Sequence, residues 1–461
     1  MQRALILIPA ASIAAFLSLV TVAVFASAAP PLQEPPQLSE LEGPQSQQAL
    51  ARLQQFFRTV PDARAPAVLH QVLEGTTAAA AHTIVLEEYE RRKLHGQGRA
   101  TLEALGKEHP ARAIYAIDLV QLAVLEGDLD RAKADLRSAA ARFPHDTELH
   151  ANLGRWLYGR QQTDLALAEL LRAQQTGLRD PQTNLVLASL LARAGALEDA
   201  IDTAASITVT PGLDSRLRGE AAALAGKSYA ILRNEAKAVE FLEQAIRHSP
   251  QVEDYHLSLA SAHQQAENAG SAVQALRRGW ERLPGAPGIG QSLSRQLLAA
   301  GEPEEAVRVL VLLTSRHPNH GDALRLLAQA YRSAGDAAKA SQTWRRLLRQ
   351  QPRYPMANIF LAQSLAEEGA PPGQILAALD RAERISPQDA DLYYLRGRIF
   401  NSLGRHQDAV AQLQRAIRLQ PNFSGAYYQL GLAYQQLGRP ELAQEQFRRR
   451  THLEEGTGRT R

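Results

Sequence analysis

Tyr427-Tyr428-Gln429-Leu430-Gly431-Leu432-Ala433-Tyr434, followed by Gly438, Ala443 and Phe447, is the stretch that decides the fold. Leu430, Gly431 and Tyr434 lie at the offsets of one helical face, and Ala443 with Phe447 does the same after Gly438. The stretch therefore reads as a helix, a glycine-closed turn and a second helix, with Gly431 and Ala443 small enough to let the two approach.

Upstream the pattern returns on a fixed beat. Pro110, Pro144, Pro250, Pro284, Pro318, Pro352, Pro387 and Pro421 stand 34, 106, 34, 34, 34, 35 and 34 residues apart, and 106 is three beats of 34 plus four. Such a period marks a solenoid of stacked supersecondary units. An alanine column runs with it through Ala132, Ala166, Ala200, Ala238, Ala272, Ala306, Ala340, Ala409 and Ala443, broken only at Ile375. A second small column holds Gly154, Ala188, Gly226, Ala260, Ser294, Ala328, Ala362, Gly397 and Gly431. Larger side chains follow at helical offsets, among them Leu242, Trp344, Leu413 and Phe447, four after the alanine column. Between the columns stand Gly127, Gly195, Gly301, Gly335, Gly369, Gly404 and Gly438, suited to a left-handed helix end.

The whole arrangement resembles the tetratricopeptide repeat, and Tyr427-x2-Leu430-Gly431-x2-Tyr434 with Gly438, Ala443 and Phe447 carries that likeness nearly residue for residue. Ten units are expected, beginning near 113, 147, 181, 219, 253, 287, 321, 355, 390 and 424, within a repeat region of 113–457. The resemblance implies an all-α, right-handed superhelical solenoid of antiparallel helix hairpins. Surplus residues fall at Thr210-Pro211-Gly212 and at Pro371-Pro372-Gly373 and read as longer loops. Residues 48–112 are helical in composition but keep the columns poorly, and read as divergent repeats or an N-terminal cap.

Composition agrees: 45% of residues are hydrophobic and only 5% aromatic. A single core for 461 residues would be unusually large, whereas a solenoid grows by adding nearest-neighbour interfaces. With 51 basic against 48 acidic residues the net charge is +3, so nucleic acid is not implied as a partner. The Arg448-Arg449-Arg450 run reads as the solvated outside of a terminal helix. Cysteine is absent, which excludes disulfides and thiolate metal sites.

Arg3 precedes an uncharged run from Ala4 to Ala29, long enough to span a bilayer. Segment 1–29 therefore reads as a hydrophobic helix, either a retained anchor through residues 4–26 or a signal cleaved at Ala26-Ser27-Ala28. The lone Arg3 before the span keeps that end cytoplasmic and exports the repeats. For a bacterial chain the first alternative is a single-pass inner-membrane protein with periplasmic repeats. The second is a soluble periplasmic or secreted one. Residues 30–47, rich in Pro and Gln, read as a flexible linker.

Chemical motifs dissolve into the repeat. Gly226-Lys227-Ser228 ends like a phosphate loop, but Ala221 stands where that pattern needs glycine, and Gly226 belongs to the small column. Gly285-Ala286-Pro287-Gly288-Ile289-Gly290 has no strand before it. His317 and His320 straddle Pro318 in a turn, with no matching acidic cluster, and no metal or other cofactor is expected. No catalytic residues are assigned.

In the resembling family the first helix of each unit lines a concave groove that receives peptides or helices. Candidate partner-binding residues on that face are Arg155, Tyr158, Lys227, Arg295, Arg325, Arg332, Tyr394, Arg398 and Tyr428. Guanidinium groups interleaved with tyrosines suit a protein or peptide partner of acidic character. The Lys-and-Asn carboxylate clamp of chaperone-binding relatives is not reproduced. The expected function is a non-catalytic interaction scaffold. Two alternatives are an assembly part of an envelope machine, such as a polysaccharide exporter or a cofactor-maturation complex, and an enzyme with a cryptic site in 48–112.

Overall fold

The structure, a computed structural model, describes residues 37–42, 46–354 and 356–458. Among them are 24 α-helices and no strand. The segment 1–29 lies outside the described residues, and among those described no helix is long and apolar enough to cross a membrane.

Two compact units, Met1–Leu187 and Ala188–Arg461, divide the chain within one helix. The first unit holds α1 (Ser46–Thr59), α2 (Ala65–Gly75), α3 (Ala79–Arg91), α4 (His95–Glu108), α5 (Ile114–Glu126), α6 (Leu129–Arg142), α7 (Thr147–Gly159) and α8 (Thr163–Gln175). The division falls in α9 (Pro181–Arg193). The second unit continues with α10 (Leu197–Thr208), α11 (Ser215–Ile231), α12 (Glu235–His248), α13 (Glu253–Gln265), α14 (Ala269–Arg282), α15 (Pro287–Ala299) and α16 (Pro303–Arg316). It ends with α17 (Gly321–Ser333), α18 (Ala337–Gln350), α19 (Ala357–Glu367), α20 (Pro372–Ile385), α21 (Ala390–Ser402), α22 (His406–Leu419), α23 (Ser424–Gln436) and α24 (Pro440–Gly458).

A single turn recurs between paired helices. Lys93, Gly127, Gln161, Gly195, Arg233, Glu267, Gly301, Gly335, Gly369, Gly404 and Gly438 all have positive φ. After each, the next backbone N–H returns to a carbonyl five residues back at 2.8–3.0 Å, as in Asp128 N to Ala123 O (3.0 Å) and Asn234 N to Tyr229 O (2.9 Å). This bond closes the first helix in a Schellman turn. The following residue often opens the second helix as its N-cap: Asp128, Asn234, Asn268 and Asp336 each accept from the N–H three residues on. Lys93 stands 34 residues before Gly127, so α3 and α4 form a hairpin in phase with the array.

The seam between paired helices is a direct contact of the two small columns with their neighbours. A Cβ added at Gly154, Gly226, Gly397 or Gly431 would lie 2.4–2.8 Å from Leu170, Leu242, Leu413 or Phe447. Ala132, Ala166, Ala238, Ala306, Ala340 and Ala409 of the alanine column are wholly buried. Joints between hairpins carry a further brace. His82, His256, Tyr393 and Tyr427 reach the carbonyl six residues earlier, of Thr76 (2.9 Å), Pro250 (3.0 Å), Pro387 (2.8 Å) and Pro421 (3.1 Å).

The stretch read as a flexible linker is ordered where it is described. Leu38–Glu42 forms a 3-10 turn with Leu41 buried, and Leu38 packs against Gly75. The Glu42 carboxylate accepts from Thr77 N (2.8 Å) and Thr76 Oγ1 (2.9 Å), and the backbone bond from Thr77 is the main reason it titrates below the ordinary glutamate range. Two leucines and one acceptor thus pin this end of the segment to the helical unit.

Candidate partner-binding surface

Each candidate residue sits on the first helix of its hairpin. Arg155 and Tyr158 lie on α7 in the first unit, and the other seven lie in the second. Within that second unit, side chains link successive first helices. Lys227 on α11 pairs with Asp254 on α13, and Gln291 on α15 meets His320 Nε2 just before α17 (3.1 Å). Arg332 on α17 donates to Gln363 Oε1 on α19 (2.7 Å), and Asn401 on α21 donates to Gln429 O on α23 (3.0 Å). First helices two apart in the chain are therefore neighbours across this face.

The charges are only partly open to a partner. Lys227 is ion-paired, Arg155 lies 3.8 Å from Asp180, and Arg325 lies 3.8 Å from Asp322 while donating to Gln329 Oε1 (2.9 Å). Arg295, Arg332 and Arg398 have no carboxylate partner among the described residues. Tyr394 packs on Phe423 with ring centroids 4.7 Å apart, and the Arg398 guanidinium lies 5.7 Å from the Tyr394 ring. Tyr428 is 38% exposed and lies beneath the Arg450 guanidinium at 4.8 Å. The face is thus a strip of fixed amides, three uncompensated guanidiniums and two tyrosine surfaces.

Asp254 and Asp322 are acidic members of the strip that the motif reading did not name. Both stand at the second position of their unit, and reading that column would have found them.

Among the described residues no group of three or more histidines and carboxylates could hold a metal ion. His317 Nε2 bonds Gly285 O (2.9 Å), and Ser228 Oγ donates to Leu224 O (2.9 Å), so these motif residues serve the backbone. Two histidine–carboxylate pairs are buried in the first unit. His150 Nδ1 lies 2.7 Å from Glu169 Oε2, and His82 Nδ1 lies 2.5 Å from Asp118 Oδ2. His82 and Asp118 are 0% and 1% exposed, so no substrate reaches them.

Burial opposes charge on His82, but the Asp118 carboxylate and the bonds to Asp118 and Thr76 O outweigh it and raise the imidazole above its ordinary value. Burial also pushes the Asp118 carboxyl up, against the pull of His82. The raised imidazole means that the folded chain keeps a proton on His82 that the unfolded chain releases above about pH 6.5. The stabilising contribution of the charged imidazole is therefore complete below that pH and is lost as pH rises through the folded value. Melting temperature measured from pH 6 to 9 should fall with pH in the wild type, and fall less in the paired variant His82→Leu/Asp118→Leu. Parallel profiles would refute this linkage.

Family models described as "Tetratricopeptide repeat" match residues 117–181 and 297–364, and one described as "TPR repeat" matches 397–438. These are tetratricopeptide repeats. The matched repeats fall in both units and contain Arg155, Tyr158, Arg325, Arg332, Arg398 and Tyr428. Among curated proteins none matches the chain. Solved structures similar to it include a crystal structure of MamA, 23% identical with a TM-score of 0.34, the match covering 36% of this chain and 97% of that one. "MamA 41-end from Desulfovibrio magneticus RS-1" is 24% identical with a TM-score of 0.34, covering 37% and 96%. The APC/C hetero-tetramer Cut9-Hcn1 is 12% identical with a TM-score of 0.37, covering 85% and 89%.

Proposed function

We propose that the protein is a non-catalytic scaffold whose tetratricopeptide repeats hold a segment of a protein partner along the strip of first helices. The observation that carries this reading is the row Arg295, Arg332 and Arg398, three cations without a carboxylate partner among the described residues, on a surface otherwise braced by helix-to-helix bonds. Preformed helices lose little entropy on binding, so a partner gains affinity from many modest contacts. An acidic segment suits the strip, because the acids already present, Asp254 and Asp322, are engaged by Lys227, Arg325 and Tyr354. The uncharged run from Ala4 to Ala29 supports export of the repeats or their tethering to a membrane.

Arg295→Glu/Arg332→Glu/Arg398→Glu tests the strip. Reversal should weaken capture of a partner identified with the wild-type chain by about tenfold or more, since each lost charge-assisted bond is worth roughly 1.5–3 kcal/mol. Circular dichroism should stay unchanged, because none of the three is buried. Capture unaltered by the reversal would remove the strip from the binding surface.

A further inference from the structure

An open cleft of about 440 Å3 lies between the second helices α18 and α20, with Asn358 and Leu361 of the first helix α19 between them, and none of its lining residues belongs to the strip described above. Arg345 and Arg349 enter it from α18, and Arg381 and Arg384 from α20. Leu348 and Leu361 form an apolar floor with the buried Asn358. No acidic residue lines it. Arg345 donates to Gln374 Oε1 (3.2 Å) and Arg381 to Asn358 Oδ1 (3.4 Å), both neutral acceptors. Among the described residues none of the four arginines is paired with a carboxylate.

The next joint of the same array shows what such a niche looks like when it is closed. Positions equivalent to Arg345, Leu348, Asn358 and Leu361 are Asp380, Glu383, Tyr393 and Arg396, each 35 residues on, while Arg381 and Arg384 correspond to Arg415 and Arg418, 34 on. There Arg396 bridges Asp380 (2.8 Å) and Glu383 (2.7 Å). Arg415 lies 3.5 Å from Glu383 and 4.1 Å from the Tyr393 ring, and the Tyr393 hydroxyl donates to Glu383 (3.0 Å). One internal carboxylate thus collects two guanidiniums and a phenol. The joint before it keeps the arginines of its later helix but has neither acid, and Asn358 in place of tyrosine leaves the space open.

We propose that this cleft is an oxyanion site that binds a phosphate ester, its phosphate held by Arg345, Arg349, Arg381 and Arg384 and its organic part lying on Leu348 and Leu361. Four cations over an apolar floor focus a positive field into a space that no lining carboxylate neutralises. A phosphate dianion supplies the missing charge, and its oxygens match the paired donors of the arginine fork. The external phosphate stands in for the carboxylates that Asp380 and Glu383 provide one joint later.

Calorimetric titration of the full-length chain with sodium pyrophosphate at fixed ionic strength is the test. One saturable site per chain is expected. Arg381→Gln/Arg384→Gln should weaken it by about tenfold or more, given the worth of charge-assisted bonds. Arg345→Asp/Leu348→Glu should abolish it while leaving the melting temperature at or above wild type, because it installs the neighbouring joint's own counter-charges. Competition then finds the source of the phosphate. Displacement by glycerol 3-phosphate as effective as that by dibutanoyl phosphatidate supports a water-soluble ester, and stronger displacement by the lipid analogue supports a headgroup. Absence of a saturable site, or isotherms unchanged in both variants, overturns the proposal.

Discussion

Trp344→Ala should cost about 3–5 kcal/mol of stability, the range for removing a large aromatic side chain from a packed core. Trp344 is 1% exposed, heads the fully buried side chains by volume, and stacks on Phe360 with ring centroids 5.2 Å apart. Its place in the pattern explains the size of the effect. It stands four residues after Ala340, at the position where Leu242 and Leu413 meet a glycine of the paired helix, and here the small residue opposite is Ala328. The indole fills the α17–α18 seam and extends to α19 through Phe360. Truncation therefore loosens two interfaces at once. Because stability in a repeat array is a sum of local and nearest-neighbour contributions, the damage should stay near the mutation. Amide hydrogen exchange should accelerate in Gly321–Ser333, Ala337–Gln350 and Ala357–Glu367, with α3 and α4 unaffected. A loss below about 1 kcal/mol in denaturant unfolding, well under the range for truncating a buried aromatic side chain, would contradict the packing described.

That hairpin architecture was legible because its columns are contacts. Ala340 and Trp344, or Gly431 with Phe447, are readable at a distance of four or sixteen residues because helix geometry fixes who touches whom. Turn positions were legible only where glycine fills them. Lys93, Gln161, Arg233 and Glu267 adopt the same left-handed backbone at φ 56–62°, against an intrinsic cost of roughly 1–2 kcal/mol that the Schellman bonds offset. Composition gives no sign of that, so the hairpin around Lys93 was hidden inside 48–112. Leu38 and Leu41 were hidden likewise, by the prolines and glutamines around them.

Candidate-site residues were legible as positions and not as charges. Helical register places Lys227 and Arg325 on the exposed face, but whether Lys227 is free depends on Asp254, which only the stacking of hairpins brings alongside, whereas Asp322 is already within reach of Arg325 one turn away on the same helix. The arginine cleft was less legible still, because it consists of a missing pair of acids. It emerges only when Arg345 and Leu348 are set beside Asp380 and Glu383.

Gly226→Val should destabilise the second unit by about 3 kcal/mol, the upper end for overpacking a close-packed core. Gly226 on α11 faces α12, where an added Cβ would lie 2.8 Å from Leu242 Cγ, 3.1 Å from Ala238 O and 3.1 Å from Leu242 N. Two of those three atoms are backbone, so no rotamer change relieves the contact and the helices themselves must separate. Gly397 is the instructive contrast. The three atoms nearest its Cβ would all belong to the Leu413 side chain, the closest at 2.5 Å, and that side chain has rotamers to move into. Alanine in place of mid-helix glycine gains roughly 1 kcal/mol in helix propensity, and that gain competes with the clash. At Gly397 the two should nearly cancel, so Gly397→Ala is expected to shift the urea midpoint little. At Gly226 the backbone contacts win, and Gly226→Ala should already lower the midpoint, with valine lowering it further. Equal responses to alanine at the two glycines would show that the α11–α12 seam yields as readily as a side chain does, and would remove backbone contact as the reason for glycine there.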